Sequence, residues 1–176
     1  MSRASLLLAA AAAAALCCCG IVGGDTVADS CDAIRDFVDF AFCASRLRSV
    51  PGAASADRQG HLLVAADLAA ASGTSARDAA ASMAREESDP AARDALEACG
   101  IMYGAASVPA LRLMRGYAAA RSWGAARSLL PLTGQAGIGC EAALGGAAAA
   151  AGRMAGANRE FDQLTTMATA LLNKVS

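Results

Sequence analysis

The chain reads as an all-α domain braced by disulfides. Apolar residues recur at helical spacing over most of its 176 residues, with no convincing alternating strand. Four cysteines, Cys31, Cys43, Cys99 and Cys140, are dispersed among those segments, and the chain has a single histidine. An even cysteine set without a histidine cluster points to disulfides in an exported domain rather than to a cytosolic metal site.

The amino terminus fits export. Arg3 supplies a short positive start, residues 5–16 form an apolar core, and the small residues Gly20, Gly24 and Ala28 follow. This is the pattern of a signal peptide over 1–28, cleaved somewhere within 20–28. A spanning helix needs roughly 20 apolar residues, and Gly20, Gly23, Gly24 and Asp25 interrupt the run first. The triplet Cys17, Cys18 and Cys19 then leaves with the leader, and no membrane association is expected after cleavage. Residues 29–176 suffice for one domain with a proper core. The whole chain carries 15 basic and 16 acidic residues, and losing Arg3 and Asp25 leaves 14 against 15, so the net charge stays at −1. Bulk charge therefore recruits neither nucleic acid nor an anionic membrane. Neither Asn158 nor Asn173 begins a glycosylation site.

Several elements follow in order. Residues 60–72 and 75–87 read as two helices divided by Gly73, with Thr74 or Ser75 capping the second. Asp89-Pro90 opens another, cap first and proline in the first turn, running toward Arg121 with a kink expected at Pro109. The stretch 131–139 holds Pro131, Gly134, Gly137 and Gly139 and should be a broken or loosened helix. Residues 145–157 are low in complexity and fit either a connecting loop or an alanine helix. In the last segment Phe161, Leu164, Ala168, Leu171, Leu172 and Val175 form one apolar stripe of a helix. Tyr103 and Tyr117 read as core packing, and Trp123 as a cap on the core.

Four cysteines permit three pairings. Were 31–43 one straight helix, its ends would stand about 18 Å apart, whereas a bridge needs Cα atoms within roughly 7 Å. A Cys31–Cys43 bridge would thus require a reversal, with Asp36 or Asp39 capping the second limb and Phe37, Phe40 and Phe42 in close reach.

Catalytic readings fare poorly. His61 is the lone histidine and reads as a surface or partly buried residue; with the cysteines oxidised it has no thiol or metal partners. Glu86 with Glu87, and Asp36 with Asp39, are the next candidates; adjacent glutamates on a helix point about 100° apart and ordinarily form a solvated face. No glycine-rich phosphate loop follows a strand. No enzyme activity, cofactor or metal is expected.

The order of motifs is more specific. Cys31 is followed by FAFCASRLRS, ADRQGHLLVAADLA, DPAARDALEACGIMYGAASVPAL, GCEAAL and REFDQLTTMATALL. In this order the chain resembles the plant invertase and pectin methylesterase inhibitor family over essentially its whole mature length. The resemblance implies an amino-terminal helical hairpin (about 29–50) closed by Cys31–Cys43, then an antiparallel four-helix bundle (about 56–176) with Cys99 bridged to Cys140. In the chain-entropy model such loops contribute roughly 3 and 4 kcal/mol. Two departures stand out. Eleven residues separate Cys31 from Cys43, with DAIRDFVDF in place of the usual turn, and a Pro-Lys-Phe motif frequent in invertase inhibitors is replaced by RSWGAARSLL.

The resemblance implies a secreted protein of the apoplast or cell wall that inhibits by stoichiometric binding. The missing motif favours a pectin methylesterase as partner; acid invertase is the alternative, and a non-inhibitory helical binding protein a further one. The alanine-rich core argues against a ligand cavity in the last case. Arg77, Asp78, Arg85 and Glu86 form the most charged helical face and are the candidate interface. The chain is expected to be a monomer or a weak dimer.

Overall fold

A computed structural model describes residues 25–175. The expected leader, with its cysteine triplet, lies outside the described residues apart from 25–28. Asp25 caps the first helix, α1 (Thr26–Asp32), accepting from the Val27 and Ala28 amides at 3.2 and 3.1 Å. The chain reverses over 33–39, and Asp39 caps α2 (Phe40–Arg48) by accepting from the Phe42 amide at 2.8 Å. The reversal brings Cys31 and Cys43 to a Cα separation of 5.7 Å in a disulfide. Arg48 closes the open end of this hairpin on Asp25. The hairpin buries Val27, Ile34, Val38 and Leu47, while Phe37 and Phe40 face outward and Arg46 stacks over Phe42. Aliphatic residues, not these rings, fill the inward side of the hairpin.

Asp57 caps α3 (Arg58–Glu86), its carboxylate accepting from the Gly60 amide at 2.8 Å. This helix is continuous where the sequence suggests a break at Gly73. Gly73 is buried in mid-helix, and a Cβ there would stand 2.8 Å from Val108 Cγ2 and 2.9 Å from Phe161 Cε2. Close packing of neighbours, not a chain reversal, explains the glycine. Thr74 is no cap either: its hydroxyl donates to the Ala70 carbonyl one turn back at 2.9 Å.

Asp89 and Pro90 start α4 (Pro90–Ile101) as expected. A π turn (Met102–Ser107) then widens the path before α5 (Val108–Ala119). Pro109 has no N–H for the carbonyl four residues back, and the ladder shifts so that the Val108 amide donates to Tyr103 O. The break therefore falls just ahead of the proline. Three short helices follow: α6 (Trp123–Ser128), α7 (Leu130–Thr133) and α8 (Gln135–Ala143). Their segmentation fits the loosened helix expected over 131–139. Ser107 holds the break together, donating to the Leu132 carbonyl at 2.8 Å and accepting from the Ala136 amide at 3.2 Å. Cys140 is disulfide-bonded to Cys99 across α4 and α8, with a Cα separation of 4.6 Å. Helix α9 (Ala148–Val175) absorbs most of the low-complexity segment, so of the two readings of 145–157 the alanine helix holds.

Cross-contacts give the architecture. Asp67 pairs with Arg115 and Gln59 reaches the Ala118 carbonyl, while Arg77 lies over Gly104, so α3 runs antiparallel to the α4–α5 segment. Glu87 pairs with Arg153 near the start of α9, and Gly137 lies under Asp162, which sets α9 antiparallel to α3 and α8 antiparallel to α9. The result is an antiparallel four-helix bundle of α3, α4–α5, α6–α8 and α9, with the α1–α2 hairpin against one end. Phe161, Leu164, Ala168, Leu171 and Leu172 of the expected stripe are buried in its core.

Candidate functional site

The outer face of α3 presents the four charged residues the sequence points to. Arg77 Nε and Nη2 donate to Asp78 Oδ1 at 2.9 and 2.8 Å, and both side chains are exposed. Arg85 and Glu86 are exposed about two turns further on. Seven residues separate Asp78 from Arg85, nearly two whole turns, which puts them on one line down the helix. Of the four, only Arg77 and Asp78 touch.

Its backing was not visible in the sequence. A Cβ on Gly104 would come within 2.9 Å of Arg77 Cδ, so the π turn lets the arginine stem lie flat against the second bundle helix. The far end of the face is pinned by Glu87. Its Oε2 accepts from Arg153 Nη2 at 2.8 Å, and its Oε1 accepts from the Ser88 and Asp89 amides at 3.1 and 3.3 Å. Glu86 and Glu87 accordingly have separate environments and no shared substrate position. Glycines inside a helical pattern were the signal that could have marked Gly104 as a close contact.

The π turn and α9 share a buried polar contact. Tyr103 is fully buried, packs edge-on to Phe161 with ring centroids 4.9 Å apart, and donates to Asn158 Oδ1 at 2.7 Å. Asp162 lies over Gly137, and burial, then the nearby Glu141 charge, raises its carboxyl to about 6. Burial, with Asp162 and Glu141 adding to it, also pushes the Tyr103 hydroxyl well up. Tyr117, by contrast, is exposed and not a core residue: its helix turns it outward beside Leu113. Trp123 is half-buried and packs on the core.

His61 departs from expectation most clearly. It is fully buried, with Nε2 2.8 Å from the Ala53 carbonyl and Nδ1 2.8 Å from Ser30 Oγ. A carbonyl only accepts, so Nε2 carries a proton and donates to Ala53, while Nδ1 and the Ser30 hydroxyl share a hydrogen bond. The imidazole links α1, the 3-10 turn at Ala53–Ser55 and α3, shut away from any substrate. Among the described residues no group of three histidine, cysteine or acidic side chains is placed to hold a metal ion, and no helix is long and apolar enough to cross a membrane.

The outer face of α3 thus presents a charged helical surface. Comparison with known proteins bears on what it contacts. No curated protein matches the chain. The family model described as plant invertase/pectin methylesterase inhibitor matches residues 25–171, which spans the hairpin, both disulfides and all four bundle helices. The chain belongs to the plant invertase/pectin methylesterase inhibitor family.

Proposed function

We propose that the protein inhibits a plant cell-wall pectin methylesterase by docking its bundle over the substrate cleft in a stoichiometric complex. The observation that carries this reading is the family match over the whole disulfide-braced fold. The physical support is pre-organisation. A surface built on helices that are already capped and cross-linked loses little conformational freedom on binding, so more of the contact energy appears as affinity. The face of Arg77, Asp78, Arg85 and Glu86 is the proposed contact, with Arg77 steadied by Asp78 and by the Gly104 backbone. Charged groups there would act mainly through orientation and association rate, since exposed pairs add little net energy. The segment RSWGAARSLL in place of Pro-Lys-Phe favours the methylesterase over acid invertase as target.

Secretion to the cell wall belongs to the same proposal. Removal of the leader at or before Gly24 would suit the fold better than a cut before Asp29. The later cut would delete the Asp25 cap, its pairing with Arg48 and the buried Val27.

The test is direct. Purified, oxidised residues 25–176 are titrated separately into a pectin methylesterase and an acid invertase, each shown responsive to a known inhibitor. Loss of methylesterase activity saturating at one equivalent is expected. Loss of invertase activity alone would transfer the proposal to the other target, and loss of neither would overturn it.

A further inference from the structure

The net charge of −1 conceals a segregated distribution. Between Glu97 and Glu141 the sequence has no acidic residue and four arginines, Arg112, Arg115, Arg121 and Arg127. Such segregation gives a local positive field that bulk charge does not report. Arg115 is answered by Asp67 of α3 at 3.1 Å. Arg112 is exposed and has no acidic partner among the described residues.

Arg121 is held in an uncommon way. Among the described residues it is the one non-glycine with a positive φ, 56°, and it stands two residues past the end of α5. An L residue adopts that conformation at a cost, and glycine is the usual choice where a helix ends so. Gln59, in the first turn of α3, accepts from Arg121 Nε at 3.1 Å and donates its own amide to the Ala118 carbonyl at 3.1 Å. The guanidinium is thereby fixed at an exposed position, and its two terminal nitrogens have no partner among the described residues.

The surface between the two arginines is open. Nine helical steps from 112 to 121 span about 13 Å. Arg112, Gly116 and Ala120 follow one another at one-turn intervals on the outer face of α5, and a Cβ on Gly116 would meet nothing within 4 Å. Leu113 and Tyr117, both exposed, flank this strip. A shallow strip with a free guanidinium at each end and an exposed ring alongside matches an extended chain that carries spaced carboxylates with C–H faces between them. A linear uronate polysaccharide has both: its carboxylates pair with guanidinium forks, and its sugar rings stack on tyrosine. An acidic peptide lacks the ring faces, and a nucleic acid carries charge densely enough to call for a continuous basic stripe.

We propose that this edge of α5 binds a carboxylated polysaccharide. The proposal rests on the methylesterase reading above for the source of the polymer, since hydrolysis of a pectin methyl ester leaves such carboxylates. The edge is separate from the candidate inhibitory face. Asp67, which meets Arg115, is ten residues from Arg77, about 15 Å along α3.

The experiment is calorimetric titration of oxidised residues 25–176 with an oligogalacturonate and with its fully methyl-esterified counterpart, with melting curves of every variant as the folding control. No enzyme is present, so the outcome is independent of the inhibition assay. Binding to the acid form alone is expected, weakening severalfold as salt rises from about 50 to about 200 mM. Arg121→Gly suits the left-handed backbone and Arg112→Gln changes only an exposed side chain; each should lower affinity about three- to tenfold, and the pair by more than about tenfold. Tyr117→Ala should lower it about threefold. The proposal is overturned by no binding to the acid form, by equal binding to the esterified form, or by indifference to the Arg112→Gln/Arg121→Gly pair. An equal affinity for single-stranded DNA of the same charge also overturns it.

Discussion

The hairpin and the bundle are held together by different forces. In the bundle the large residues Tyr103, Phe161, Leu96, Leu111, Met114, Met154 and Met167 are all fully buried. In the hairpin two of three phenylalanines face solvent, and the inward set is a few aliphatic residues from helices of seven and nine residues. Isolated helices that short are marginal in water. The hairpin therefore relies on directional and covalent links: two aspartate caps, the Cys31–Cys43 bridge, the Asp25–Arg48 pair and the His61 link to α3. The bundle has its own bridge, Cys99–Cys140, and its own aspartate caps, but adds a large buried core that the hairpin lacks.

That contrast can be broken from either side. Phe161→Ala should cost about 3–5 kcal/mol, because its ring contacts Tyr103 and fills the space beside Gly73. Chemical denaturation with a single cooperative transition is the check; a loss near zero would mean that the bundle core is not the main source of stability. Next comes the Cys99→Ser/Cys140→Ser pair, expected to lower global stability by about 4 kcal/mol from a loop of 41 residues.

The hairpin should respond locally. Removing Cys31–Cys43, which closes a separation of 12 residues, is worth about 3 kcal/mol in the same model. His61→Ala would leave the buried Ser30 hydroxyl without its partner and remove one of two donors to the Ala53 carbonyl, which keeps the Ala56 amide, at about 1–3 kcal/mol. Both changes should raise amide exchange over 26–48 with little change in 90–119. Uniform acceleration across the chain would show that hairpin and bundle form one cooperative unit, contrary to the contrast drawn above.

The smallest effect concerns pH. The Asp162 carboxyl is raised from 3.8 unfolded to about 6 in the fold, so the folded state binds the proton more tightly. Its stabilising contribution is complete below about pH 4 and disappears as pH rises through about 6. Allowing for partial solvent screening, the span is about 1–2 kcal/mol. Melting temperature should therefore fall across that interval in the wild type and change less in Asp162→Asn. An equal slope in both would assign the pH dependence to other groups.

These regions also differ in how far the sequence exposed them. The closing stripe from Phe161 to Leu172 was legible because burial on one helix face repeats at the helical period. The α4 start was legible because a cap and a first-turn proline act within a few residues. Gly73 and His61 were not. Each is explained by a partner distant in sequence, Phe161 for the glycine and Ser30 for the histidine, and no local pattern encodes that contact. The α3 candidate face was visible as charge, whereas the Gly104 backing of Arg77 and the Glu87–Arg153 anchor were not.

By itself the sequence determined an all-α chain with an oxidised cysteine set, the start of α4 at Asp89-Pro90 and the apolar stripe that faces inward, because caps and periodicity operate over one or two turns. Tertiary structure alone decided that α3 runs unbroken through Gly73, that the ladder shifts to a π turn ahead of Pro109, that His61 is an internal link and that Phe37 faces outward. Those outcomes depend on which surfaces meet, and that is settled only when the whole bundle closes.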